Sequence, residues 1–161
     1  MDLCPWADLV YGCDSAWWEH RNGLLDFKGL KVCFSANGLQ NYPGIRRVVI
    51  NRREDRILIE PKGTIGNGGN SGFQALNLAV QFGAARVLLI GYDMTMSGGA
   101  HWYGNNTWRG AGNPNDGSLR RWVEHFDSAA PALKLMGVEV INCSPISAIK
   151  SFPRKSLEDA L

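Results

Sequence analysis

A chain of 161 residues, 45% hydrophobic and 20% charged, has the size and composition of one globular domain over residues 1–161. Its formal net charge of +2 is too small to indicate a polyanionic partner, so composition gives nucleic-acid binding no support. No apolar run approaches the roughly 20 residues that span a bilayer, and the N-terminus lacks the basic and apolar regions of a signal peptide, so we expect a soluble, cytoplasmic protein without a membrane partner.

Short strands and one helical turn are predicted for the first part of the chain. Residues 7–12 and 31–35 are apolar runs typical of strands, and residues 15–21 fit a helical turn. Apolar triplets at 48–50 and 57–59 flank a charged segment, which predicts two further strand-like pieces around a polar turn.

The clearest helix follows a glycine-rich loop. Ser71–Phe82 has a helical apolar stripe, with Asn70 or Ser71 as the N-cap and Gly83 just beyond the end. Residues 86–91 then read as a buried strand of the kind found in parallel sheets.

A long glycine- and asparagine-rich connection over residues 95–117 leads into the last elements. Residues 118–136 predict a helix that Pro131 could kink, residues 138–142 predict a strand, and residues 156–161 predict a helical end. Strands alternating with helices favour an α/β three-layer sandwich with a mostly parallel sheet and right-handed crossovers.

Glycines before a helix suit an anion, because the backbone can approach a ligand closely and the first amides of the helix are unpaired. The loop is neither a P-loop, since it lacks Gly-Lys-Ser/Thr, nor the dinucleotide pattern, since Ser71 stands at the third glycine position. A tight turn without a ligand is the alternative. The predicted nucleotide-binding residues of this loop are Gly66, Gly68, Gly69, Asn70, Ser71 and Gly72.

Ligands of open parallel sheets collect beyond the carboxyl ends of the strands, where Asp14, the glycine loop and residues 93–101 would converge. Asp93 would hydrogen-bond a ribose or substrate hydroxyl, or would pin the loop. His101 would act as a general acid towards a leaving phosphate or donate a hydrogen bond to it. Tyr103 would stack on the ligand or take the same acid role. No cluster has metal-ligand spacing, so we predict no metal site.

The segment Gly69–Asp93, followed by Gly98, Gly99 and His101, resembles a superfamily core. It is similar to the core of bacterial sialyltransferase-like proteins, the motility accessory factor family and archaeal 6-hydroxymethylpterin diphosphokinase-like proteins. Residues 7–18, and more weakly 141–161, resemble phage and prophage members of that group.

The resemblance implies a Rossmann-like domain that binds a nucleotide or a nucleotide-activated donor and transfers a group from it without a bound metal. By this resemblance Asn70, Ser71 and Gly72 would hold donor phosphate or ribose, Asp93 would lie at the pocket edge, and His101 would lie in the covering loop. Members of the group begin with a strand and a Gly-x-Gly-Pro-Ser loop. The present sequence starts after that block, as a short form or a fragment would.

Three hypotheses for the function remain open. The first is a phage-type nucleotide or nucleotide-sugar binding protein of transferase ancestry, glycosyltransferase-like or diphosphokinase-like if active, in the cytoplasm of a bacterial host. The second is a non-catalytic module that sequesters or senses a nucleotide in phage–host conflict. The third is an NAD-dependent oxidoreductase, which Gly66-x-Gly68 and Asp93 favour although no Tyr-x-x-x-Lys is present. A truncated sheet edge would favour a homodimer that covers it.

Overall fold

The computed structural model describes residues 4–34 and 41–161, in which short parallel strands are combined with helices. Within these residues the strands are β1 (Leu9–Tyr11), β2 (Leu30–Cys33), β3 (Ile45–Arg47), β4 (Val49–Asn51), β5 (Thr64–Gly66), β6 (Arg86–Leu89) and β7 (Glu139–Asn142). The α-helices are α1 (Ser15–His20), α2 (Ser71–Gln81), α3 (Asp116–Leu135) and α4 (Leu157–Ala160), and a 3-10 turn spans Asn22–Leu24. The structure is therefore a mixed α/β fold with short parallel sheets.

Strands β1 to β5 lie next to one another in chain order, through two sets of pairings and one continuous segment of chain. Strands β1, β2 and β3 form one parallel sheet in that order, and β4 pairs in parallel with β5. Val48 alone separates β3 from β4, and its N–H donates to the carbonyl of Cys33 at 3.0 Å. Residues 45–51 thus pair with β2 through their first half and with β5 through their second half. Of the predicted strand at 31–35, Ser35 lies outside the described residues.

A separate two-stranded parallel sheet is formed by β6 and β7, in the register Arg86 to Glu139 through Leu89 to Asn142. An isolated parallel bridge joins Asn142 to Arg154, so the C-terminal segment pairs with the end of β7. The strands predicted at 86–91 and 138–142 are confirmed, each with a shorter extent.

The prediction of a strand at residues 57–59 is wrong. The backbone of Leu58 is bound by side chains of α2: its N–H donates to Asn77 Oδ1 at 3.0 Å, and its carbonyl accepts from Asn77 Nδ2 at 2.7 Å and Gln81 Nε2 at 2.8 Å. These bonds replace the partners that a neighbouring strand would supply. The strand that does form is β5, in the glycine-rich region where sequence alternation is absent.

Helices α2 and α3 confirm the two long helical predictions. The side chain of Asn70 accepts from the N–H of Phe73 at 2.8 Å and caps α2, while Gly83 follows its end with a φ of 88°. Helix α3 begins at Asp116, two residues before the predicted start, because Asn115 caps it, and it continues through Pro131 without a break.

Two apolar cores share helix α2. Phe73 and Leu76 pack with buried residues of β6, β7 and α3, including Phe126. On another side of the same helix, Leu78 packs with Val32 of β2 and Ile65 of β5. The helix is therefore the common wall that positions the first sheet and the β6–β7 pair.

Every helix within the described ranges is too short or too polar to traverse a bilayer.

Candidate functional site

A cleft of about 330 Å³ lies beyond the carboxyl end of β1. Its walls come from three separate segments: the turn after β1 with the start of α1 (residues 11–17), the first residue of α2, and the loop that follows β6 (residues 101–112). These are segments that the strand-end argument predicted to converge. The aromatic side chains Trp17, Tyr103 and Trp108 are among its lining residues.

Four of the predicted site residues line this cleft: Asp14, Ser71, His101 and Tyr103. Asp93 is exposed and is not among the lining residues. Its backbone carbonyl instead accepts from the N–H of Ala148 at 2.8 Å, so this residue helps to attach the C-terminal segment. Its placement matches the loop-pinning alternative more closely than a hydroxyl contact.

The glycine loop itself is occupied by the protein's own side chains. Asp55 Oδ1 accepts from the N–H of Gly68 at 2.9 Å and from Asn67 Nδ2 at 3.0 Å. On the other side of the loop, His125 Nδ1 donates to the carbonyl of Gly68 at 2.9 Å, and its Nε2 lies 3.7 Å from Asp55 Oδ2. A carboxylate of the chain thus holds the position that an external anion would take at Gly68.

The other loop glycines serve close packing. A Cβ at Gly66 would collide with the carbonyl of Arg56, and a Cβ at Gly72 would lie 2.8 Å from the ring of Tyr92. At Gly69, with a φ of 71°, a Cβ would lie 3.0 Å from Nε1 of Trp122, which is buried and has no hydrogen-bond partner within residues 4–34 and 41–161. Gly66, Gly68, Gly69, Asn70 and Gly72 therefore shape the start of α2, and Ser71 is the loop residue that reaches the cleft.

The start of α2 still offers donors. In a helix that begins at Ser71, the first N–H groups lack intrahelical acceptors. The Asn70 side chain binds the N–H of Phe73, and the backbone carbonyl of Asn70 accepts from Gln74. The N–H groups of Ser71 and Gly72 remain as donors near the cleft, at the positive end of the helix dipole.

The last residue of β1 and the turn that follows it supply half-buried polar side chains to the cleft. The Tyr11 hydroxyl donates to Gln74 Oε1 at 2.8 Å, and burial raises the pKa of Tyr11 well above its usual range. Burial, together with the Asp14 carboxylate beside it, raises the pKa of the Cys13 thiol to about 12. Tyr11 and Cys13 are therefore neutral at physiological pH, and Asp14 is the exposed acidic group at this edge.

Asn106 organises the loop that covers the cleft. Its Nδ2 donates to the carbonyl of Gly112 at 2.8 Å, and its Oδ1 accepts from the Tyr103 hydroxyl at 3.0 Å. The same Nδ2 lies 3.2 Å from Nε2 of His101, whose ring stacks on Tyr103 with centroids 5.0 Å apart. Because the Gly112 carbonyl can only accept, the amide nitrogen is fixed on this side, and Nε2 of His101 must accept.

The covering loop is attached to α1 by stacking. The rings of His20 and Trp108 are parallel with centroids 4.5 Å apart, and a Cβ at Gly110 would lie 3.1 Å from the Cβ of Ala16. Trp102, by contrast, is 79% exposed and does not line the cleft. The covering loop is therefore attached to α1 through Trp108 and Gly110, on the side that faces the turn after β1. Trp102 lies on the exposed side of the loop.

The residues that sequence reasoning missed are Tyr11, Cys13, Trp17 and Asn106. Tyr11 is the last residue of β1, and Cys13 and Trp17 lie within six residues of it, so the strand-end argument that selected Asp14 could have included all three. Asn106 lies in a run of glycines and asparagines with no distinguishing pattern. Its position becomes informative through contacts that the fold creates.

No group of three or more His, Cys, Asp or Glu side chains with metal-site geometry occurs in the part of the chain that the structure describes. Comparisons of the chain with protein-family models, with curated proteins and with solved structures find no match.

Proposed function

We propose that this chain binds a nucleotide or nucleotide-sugar in the cleft beyond β1, as a Rossmann-like protein of transferase ancestry. The observation that carries the proposal is the meeting of Asp14, Ser71, His101 and Tyr103 around one cleft. These residues come from three segments far apart in sequence. The resemblance of residues 7–18, and more weakly of residues 141–161, to phage and prophage proteins is the ground on which we propose a phage-encoded origin.

The chemistry of the lining suits such a ligand. Trp17, Tyr103 and Trp108 line the cleft, and aromatic residues in such positions can stack on a planar base. The Asp14 carboxylate can accept hydrogen bonds from ribose hydroxyls, and the amide of Ser71 can donate to a single phosphate oxygen. His101 would then donate a hydrogen bond to the ligand from Nδ1, because Nε2 accepts from Asn106.

A non-catalytic binding role is the second candidate, and two contacts favour it. Asn106 occupies Nε2 of His101, and Asp93, the other predicted catalytic residue, is engaged through its carbonyl with Ala148 outside the cleft. With Nε2 of His101 accepting from Asn106 and with Asp93 outside the cleft, neither predicted catalytic residue is placed there as a general base. An NAD-dependent reaction has less support because the loop at Gly66 and Gly68 is filled by the chain's own atoms.

A ligand panel tests the binding proposal. We expect nucleosides, nucleotides or nucleotide-sugars to raise the melting temperature of the protein, since a ligand that binds the native state alone stabilises it by RT ln(1 + [L]/Kd). Trp108→Ala should weaken the response about tenfold or more in Kd, because stacking on one base contributes about 1–3 kcal/mol. Trp102→Ala is the matched control, being an exposed tryptophan of the same loop.

Equal responses of the two variants, or no response to any member of the panel, would contradict the proposal. Incubation with the stabilising ligand then separates enzyme from binder by the release of products. If turnover occurs, we expect His101→Ala to abolish it while leaving binding within a few-fold. A homodimer that covers a sheet edge is a further part of the proposal, measured by analytical ultracentrifugation.

A further inference from the structure

The cleft is rich in aromatic surface and has no cation among its described lining residues. Asp14 is the acidic side chain there, and the remaining lining residues are glycine, alanine, aromatic residues, Cys13, Ser71, His101 and Asn106. The sequence of the segments outside the described residues, 1–3 and 35–40, contains neither Lys nor Arg. A polyphosphate bound in this cleft would therefore contact no Lys or Arg side chain among the described lining residues.

The backbone does not compensate for this lack of cations. Phosphate-binding glycine loops use several consecutive N–H groups, but Asp55 already takes the N–H of Gly68 and Asn70 takes that of Phe73. The N–H groups of Gly69 and Asn70 also lack acceptors within the described residues, but neither residue lines the cleft. At the cleft wall, Ser71 with the adjacent Gly72 can serve one phosphate. His101, whose Nε2 accepts from Asn106, is neutral in this arrangement and adds no positive charge.

We propose that Asp14 is a specificity-determining residue that restricts the ligand of this cleft to at most one phosphate group. The inference depends on the proposed binding function and specifies its ligand class: a nucleoside or nucleoside monophosphate is accepted, and a diphosphate is rejected. The mechanism is repulsion between the Asp14 carboxylate and the second phosphate. The first phosphate meets the N–H groups of Ser71 and Gly72, which offset its repulsion. Two unit charges about 4 Å apart in water repel by about 1 kcal/mol, which is about fivefold in affinity for the charge that the second phosphate adds.

The test compares four ribonucleosides, adenosine, guanosine, cytidine and uridine, with their 5′-monophosphates and 5′-diphosphates by calorimetry in magnesium-free, low-salt buffer. For the base that binds best, we expect the nucleoside and the monophosphate to be within about threefold of each other and the diphosphate to be weaker by about fivefold. Asp14→Asn should lower the ratio of the diphosphate Kd to the nucleoside Kd by about threefold to tenfold, because it removes the repulsion of the second phosphate while both ligands lose the same carboxylate acceptor for the ribose.

Asp14→Asn is suited to this test because the Asp14 side chain makes no capping hydrogen bond to α1, so the helix does not depend on it. The matched control is Glu19→Gln, which removes the same charge from an exposed position of α1 that is not among the cleft-lining residues. The effect of Asp14→Asn should also shrink in high salt, where exposed charges are screened.

The outcomes are distinguishable. A diphosphate that binds tighter than the nucleoside, or equal effects of Asp14→Asn and Glu19→Gln on the diphosphate, would overturn the charge limit while leaving nucleotide binding in place. Absence of binding by all twelve compounds would overturn this inference, and absence of binding by the nucleotide-sugars of the ligand panel as well would overturn the proposed function.

Discussion

Asn106 donates a hydrogen bond from Nδ2 to Nε2 of His101 over 3.2 Å, and this contact decides which ring nitrogen carries the proton. The Gly112 carbonyl, 2.8 Å from the same Nδ2, fixes the orientation of the amide. His101 is therefore held as the neutral ring with its proton on Nδ1. The group that it can offer to a ligand is an Nδ1–H donor.

We expect Asn106→Asp to move the ring proton of His101, because a carboxylate accepts where the amide donated. Nitrogen and carbon chemical shifts of the imidazole report the tautomer directly. The wild-type protein should show His101 protonated at Nδ1, and the variant should show a proton at Nε2. His20, stacked on Trp108, is the internal control. A wild-type spectrum with the proton on Nε2 would contradict this arrangement.

Asp55 should stabilise the glycine loop. Asp55→Ala removes the acceptor of the Gly68 N–H and of Asn67 Nδ2, so we expect the free energy of unfolding to fall by about 1–2 kcal/mol in urea titrations. Glu124→Ala, an exposed acidic position of α3, is the control and should change stability by less than about 0.5 kcal/mol. A loss no larger than that of the control would show that the carboxylate does not hold the loop.

Asn77 should be among the most sensitive polar positions. Its fully buried amide accepts from the N–H groups of Leu58 and Gly66 and donates to the carbonyl of Leu58, over 2.7–3.0 Å. Asn77→Ala leaves the N–H groups of Leu58 and Gly66 without an acceptor, while the Leu58 carbonyl keeps only its bond from Gln81, and we expect a loss of about 3 kcal/mol in the free energy of unfolding. Asn105→Ala, in the exposed loop, is the comparison; similar midpoints for the two variants in urea would refute the role.

Cys13 should resist alkylation. The thiolate is the reactive form, and the pKa of Cys13 is raised to about 12, first by burial and then by Asp14. At pH 8 we expect Cys13 to react with iodoacetamide about 100-fold or more slowly than the exposed Cys4, as followed by mass spectrometry of peptides. Asp14→Asn should speed the reaction of Cys13 without affecting Cys4. Equal rates for the two cysteines would disprove the shielding.

Stability should fall at alkaline pH through Tyr92. Burial raises the pKa of Tyr92 from 10.0 to about 12, so between these pH values the unfolded state loses its proton before the folded state does. The free energy of unfolding then decreases by about 1.4 kcal/mol per pH unit for this group as pH rises. Tyr11 and Cys13 act in the same direction.

Tyr92→Phe removes one of these contributions. We expect the variant to be slightly less stable at pH 7, because it loses the hydrogen bond from the Tyr92 hydroxyl to the Gly72 carbonyl at 3.2 Å. Above pH 10 its stability should decline less steeply than that of the wild type. Parallel pH profiles would exclude Tyr92 as a source of the alkaline loss.

An element could be predicted from local sequence when several independent features of that sequence agreed. Helix α2 was predictable because its apolar stripe, the Asn70 cap and Gly83 all agree. Strand β5 was not, since three residues of Thr-Ile-Gly show no alternation and its formation depends on pairing with β4. The segment at 57–59 has the composition of a strand, but the side-chain amides of Asn77 and Gln81 in α2 bind its backbone in place of a neighbouring strand.

The candidate site was predictable to the extent that it follows strand ends. Asp14 and His101 were located by that rule, whereas Asp93 lies between Gly91 and Met94, both with positive φ, where the chain bends toward Ala148. The filling of the glycine loop was not predictable. Asp55 and His125 are 13 and 57 residues away from Gly68 in sequence, and no local pattern relates them to it.

Helix α2 contributes side chains to both apolar cores, Leu78 to one and Phe73 with Leu76 to the other. Unfolding of one core therefore destabilises the other. If the first sheet unfolds, α2 loses its contacts on that side, and the β6–β7 pair depends on α2 for its own core. We expect heat or urea to disrupt the molecule in one concerted transition, because neither half retains a complete interior after the other has come apart.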